Sequence, residues 1–150
     1  MIDPIRELKT RAEILHKENT SKGNAMLRRR DCLNTVATRV GFENWTQAKA
    51  VIGGQPGVVD YGTLLYPVPS GGHINRWYAN YQEAAQVQAD EGGWLLAYRR
   101  QFLIVDRYFI VSLGLDPDDP DWAAIGFNWV VPIDPAARLR LYSRLIHLKR

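Results

Sequence analysis

The densest grouping of side chains able to do chemistry is Gly71-Gly72-His73-Ile74-Asn75-Arg76-Trp77-Tyr78. A glycine pair lets the backbone approach a ligand closely. His73, Asn75 and Arg76 could then hydrogen-bond an anion or orient a carbonyl. His73 is the candidate general base, because an unperturbed imidazole titrates nearest neutrality. Its more ordinary use is as a surface or structural histidine. A second grouping, Tyr98-Arg99-Arg100-Gln101 followed by Asp106-Arg107-Tyr108, sets guanidinium groups beside a carboxylate and phenols. Arginine binds phosphate and carboxylate in a two-pronged fashion, so an anionic ligand fits here. The plainer account is a hairpin tip facing water, with Asp106 capping a helix. Were His73, Trp77, Arg99 and Asp106 to line one pocket, they would favour an enzyme. Scattered, they would leave a scaffold.

Other candidates are read more simply. Asp116-Pro117-Asp118-Asp119-Pro120-Asp121 is acidic enough for a metal loop. Calcium loops, however, need alternating ligands, a turn glycine and a distal glutamate. Two prolines interrupt this run, which suits a rigid turn leading into a helix at Trp122. Cys32 is the single cysteine, so no intramolecular disulfide or multi-cysteine zinc site can form. Its place mid-helix reads as packing. Ala37-x3-Gly41 between two short helices has the spacing that opens a DNA-reading turn, with Arg28, Arg29 and Arg30 close by. In the helix that follows, Gln47 and Lys49 are the residues suited to bases or phosphates, and Trp45 looks like a core anchor. No phosphate loop, dinucleotide fingerprint, nucleophile elbow or zinc-spaced histidine pair occurs. No cofactor and no metal are expected.

These groups must be positioned by an α+β fold. Asp3-Pro4 reads as the cap and first residue of a helix carrying Ile5, Leu8, Ala12 and Leu15 at helical spacing. A second helix is expected from Ala25 to Val40, burying Met26, Leu33, Val36, Ala37 and Val40 and stopped by Gly41. Asn44 or Thr46 starts a third, which Gly53-Gly54 closes. Beyond a linker at Gln55-Pro56-Gly57, strands are expected at Tyr61–Tyr66, Trp94–Tyr98 and Phe102–Val105, the last two forming a hairpin. Asn80-x2-Glu83 has capping-box spacing and Gly92-Gly93 ends its helix. Asp106, Asp119-Pro120 and Asp134-Pro135 are further helix starts, the last opening a helix with Leu141, Leu145 and Leu148 on one stripe. The expected architecture is a three-helix N-terminal hairpin, then a small, mainly antiparallel sheet flanked by short helices and a C-terminal helix. It divides as a basic helical subdomain over 1–54 and an α+β body over 58–150, or forms one continuous domain.

The chain has 150 residues, 46% hydrophobic and 23% charged, which makes a folded domain of ordinary composition. Residues 1–53 hold 10 Lys/Arg against 6 Asp/Glu, a net +4, and the remainder hold 9 against 10. A basic head on a near-neutral body suits a nucleic-acid partner through the N-terminal third, or simply a solvated helical surface. There is no secretion-type apolar run at the start and no stretch of about 18 apolar residues, so cytoplasmic residence and no membrane partner are expected.

Two resemblances attach to these residues. Cys32 to Trp45, with Ala37-x3-Gly41-Phe42-x2-Trp45, resembles a helical module attached to some bacterial glyoxalase-related and ankyrin-repeat proteins. It is an accessory there and brings no catalytic residues. The glyoxalase metal ligands and glutathione site have no matching positions here. The whole chain is similar to a bacterial, partly plasmid-borne family of unknown function that shares Gly92–Phe102 and Leu113–Trp122. Three readings follow. The first is a non-catalytic binding protein using His73, Asn75, Arg76, Trp77, Tyr98, Arg99, Arg100 and Asp106 toward a protein or small anionic ligand. The second is a DNA-binding protein using Arg28, Arg29, Arg30, Gln47 and Lys49. The third is a small hydrolase or transferase with His73 as base. An exposed apolar stripe on the last helix would indicate a homodimer.

Overall fold

The computed structural model describes residues 3–23, 27–55, 75–98 and 101–149. His73, Arg99, Arg100, Met26 and the Tyr61–Tyr66 segment lie outside the described residues. Three helices come first: α1 (Pro4–Ser21), α2 (Arg29–Arg39) and α3 (Trp45–Ile52). The Asp3 carboxylate accepts from the Ile5 N–H at 2.9 Å and Pro4 occupies the first turn, so α1 starts where the cap chemistry puts it. Helix α2 begins later than its apolar spacing suggests. The Arg28 N–H donates to the Asp31 carboxylate at 3.1 Å, a cap-type contact that defines the first turn there. Gly41, at φ 111°, closes this helix: Phe42 N–H turns back to the Ala37 carbonyl at 3.0 Å and its ring is buried. Asn44 caps α3, accepting from the Gln47 N–H at 2.8 Å.

The body follows as β1 (Arg76–Tyr78), α4 (Tyr81–Glu91), β2 (Trp94–Tyr98), β3 (Gln101–Val105), α5 (Arg107–Ser112), α6 (Pro120–Ala124) and α7 (Pro135–Leu148). The sheet is antiparallel in the order β1-β3-β2, with Trp77 opposite Leu103 and Leu96 opposite Leu103 on the other side. Strand β1 is a strand that apolar alternation did not announce. Its three residues pair with β3 although none of them is buried. The outer edge of β2 is occupied: Leu95 N–H donates to the Phe127 carbonyl at 2.8 Å and Trp129 N–H to the Leu95 carbonyl at 2.9 Å.

Because strand side chains alternate, the sheet serves two cores. Leu95, Ala97, Phe102 and Ile104 face α4 and pack on Ala84. Leu96, Leu103 and Val105 face the other way, into one continuous cluster with Trp122, Trp129, Tyr142 and Leu141. Leu8, Ala12, Cys32 and Trp45 of the N-terminal helices belong to that same cluster. On α7, Leu141 and Leu145 are buried as the stripe requires, but Leu148 in the last turn is 54% exposed. The stripe is therefore spent inside the chain at Leu141 and Leu145 but not at Leu148.

Candidate functional site

Strand β1 divides the grouping that is densest in sequence. Trp77 lies on the face of Leu103 and Leu96. Its ring, 44% exposed, meets Tyr98 edge-on with centroids 6.0 Å apart. Arg76, one residue earlier, takes the opposite face and pairs with Glu91 at the end of α4. Asn75 precedes the strand. Its Oδ1 is buried without a hydrogen-bond partner, as is the Trp94 indole N–H.

Asp106 is removed from this group by the length of β3. Gln101, opposite Tyr98, starts that strand and Asp106 follows its end. Five residues at ~3.4 Å each separate Asp106 from the Tyr98 end by roughly 17 Å. Its carboxylate caps α5, accepting from the Phe109 N–H at 3.0 Å. Of the expected binding residues that are described, Trp77 and Tyr98 are brought into contact. Arg76 and Asp106 are committed elsewhere.

The residues of the nucleic-acid reading are likewise partly engaged. Gln47 accepts from the Glu43 N–H at 2.7 Å and so finishes the start of α3. Lys49 lies over the Trp45 ring, 5.9 Å from its centroid. Arg29 reaches Glu13 at 3.5 Å, while Arg28 and Arg30 are exposed. Trp45, Ala48, Val51 and Ile52 face the core. This leaves Thr46 and Lys49 as the exposed polar side chains of α3, a thin surface for a groove-reading helix. Trp45 is a core anchor, 8% exposed.

The acidic loop holds a buried, ion-paired carboxylate. Asp119 caps α6, accepting from the Asp121 N–H at 3.0 Å, and Trp122 Nε1–H donates to the Asp116 carbonyl at 3.0 Å. Asp121 itself is buried. Arg140 donates to its Oδ1 through Nε at 3.0 Å and Nη2 at 2.8 Å, and Arg144 donates to its Oδ2 at 2.8 Å. The Arg140 hydrogen bonds, aided by Arg144 and opposed by burial, hold the Asp121 carboxyl below its ordinary range. The readable signal was the i, i+4 spacing of Arg140 and Arg144 on α7. Cys32 is fully buried and its thiol is pushed up by that burial, then by Asp31 and Glu13, which suits packing rather than reactivity. Among the described residues no group of three His, Cys, Asp or Glu could hold a metal ion.

Two depressions flank Glu7. One, of about 480 Å³, brings Glu7, Asp116, Asp119, Ser143, Arg144 and His147 around Gly114, Leu115 and Leu148. His147 Nδ1 stands 3.9 Å from Glu7 Oε1, beyond hydrogen-bond length, and that oxygen accepts from Arg11 at 2.8 Å. No proton relay is assembled between this pair. The other depression, of about 760 Å³, runs along α1 toward the end of α2. Comparison with family models, with functionally described proteins and with solved structures returned no match. Among the described residues no helix is long and apolar enough to cross a membrane.

Proposed function

We propose that this chain is a cytoplasmic, non-catalytic binding protein whose partner surface is centred on Trp77 and Tyr98, the partner being another protein. One observation carries the reading. Trp77 sits on a three-residue strand with 44% of its surface exposed, yet its ring is held edge-on against Tyr98. An exposed indole contributes little to the fold, whereas tryptophan and tyrosine are the residues that dominate interface centres. Arg76, the neighbour of Trp77 in sequence, lies on the opposite face and is paired with Glu91, which favours a protein partner over an anionic ligand. A buried, single cysteine suits a reducing compartment.

The test compares capture of partners by the full chain and by Trp77→Ser, Trp77→Phe and Arg76→Ala. Loss with serine, retention with phenylalanine and retention with Arg76→Ala are expected. Equal capture by wild type and Trp77→Ser, or no capture by either, overturns the reading. Binding that appears only to DNA and falls steeply with salt would favour the basic N-terminal helices instead.

A further inference from the structure

The depression along α1 has the size and lining of a small-ligand site. At about 760 Å³ it lies within the range of ligand pockets. Its apolar lining comes from Ile14 and Leu15 of α1 with Val36 and Val40 at the end of α2. Ile14 is 52% exposed, on a helix whose Leu8 and Ala12 are fully packed. An aliphatic chain laid over Ile14 would remove that apolar surface from water. Helix α1 rises about 16 Å from Glu7 to Glu18, both of which line the groove, so it suits an extended chain rather than a compact ring.

The charges at the groove are not equivalent. Arg11 is locked: its guanidinium donates to Glu7 at 2.8 Å and to the Lys149 and Ile146 carbonyls at 2.9 and 2.7 Å. Glu7 is thereby neutralised. Arg39 is different, because it is exposed and makes no ion pair with any described residue. Lys149 lines the same groove, and its partial burial holds its ammonium below the ordinary lysine range. Glu18 is the remaining acid and lies about 10 Å along α1 from Arg11. The groove thus joins an apolar lining to an exposed guanidinium, Arg39, that is not taken up by an ion pair with a described residue. We propose that this groove binds a free, monomeric amphiphile with one carboxylate and an aliphatic chain, the carboxylate on Arg39 and the chain over Ile14.

The experiment is calorimetric titration of the full chain with dodecanoate, with dodecanol, and with anionic phospholipid vesicles. The variants are Ile14→Glu and Arg39→Glu, both at exposed positions, with helicity checked by circular dichroism. Saturable binding of one dodecanoate per chain is expected, with Kd below about 1 mM. Dodecanol should bind at least about tenfold more weakly, and each variant should lose at least about tenfold, or ~1.4 kcal/mol. Equal affinity for the acid and the alcohol overturns the assignment, as does dodecanoate binding that both variants retain. Absence of dodecanoate binding, including the case where only vesicles bind, overturns it too.

Discussion

Among the described residues Asp121 is the only buried charged side chain, and its surroundings explain why it is tolerated there. A carboxylate removed from water needs its lone pairs occupied, and Arg140 and Arg144 occupy both oxygens. Both arginines are themselves partly exposed, so solvent screens the charge and the net worth is modest. Asp121→Asn should destabilise the fold by about 1–2 kcal/mol in urea unfolding at neutral pH. The pH dependence has a definite sign. A carboxyl lowered in the folded state contributes fully above its unfolded pKa of about 4, and that contribution is lost as pH falls through the folded value. The gap between wild type and Asp121→Asn should therefore stay constant above about pH 5 and close below about pH 4. A gap that persists unchanged into strong acid would mean that shape, rather than charge, holds this corner.

At the level of elements, what could be read in advance was local. Asp3, Asn44, Asn80, Asp106, Asp119 and Asp134 all cap helices, because a cap joins one side chain to an N–H two or three residues on. The hairpin of β2 and β3 was equally visible in its apolar runs. What stayed hidden is non-local. Strand β1 exists because β3 offers it partners some 26 residues away in sequence, not because its own three residues alternate. The same pairing sends Arg76 and Trp77 to opposite faces, so a cluster that is continuous in sequence is divided in space. Arg11 is the clearest case: it reaches across 135 residues to the Ile146 carbonyl and closes the C-terminal end of α7 from α1. Replacing it should undock that end. Arg11→Ala should cost about 1.5–3 kcal/mol and speed amide exchange in the last turn of α7. Arg11→Lys should rescue little, because an ammonium cannot reproduce the planar fork to two carbonyls and Glu7. Full recovery by lysine would reduce the contact to simple charge.

For the molecule as a whole, charge distribution suggests a basic helical head and a separate body, whereas the packing joins them. Leu8, Cys32 and Trp45 from the first three helices share a cluster with Leu103, Trp122, Trp129 and Leu141. At its centre Trp129 meets Trp122 at 5.9 Å and Tyr142 at 4.8 Å between ring centroids, all three fully buried. Shared burial of this kind couples the parts: opening one exposes apolar surface on the other. Cys32 provides a reporter, since it is the only cysteine, lies in the helical head and is inaccessible in the folded state. Its modification by a thiol reagent in increasing urea should follow the same midpoint as amide exchange in β3. Trp129→Ala removes a large side chain from the body and should lower stability by about 3–5 kcal/mol. If the head and body are one cooperative unit, that distant truncation shifts the Cys32 midpoint as far as the β3 midpoint. A Cys32 that becomes reactive at lower urea, and is indifferent to Trp129→Ala, would make the first 54 residues a separately folding subdomain.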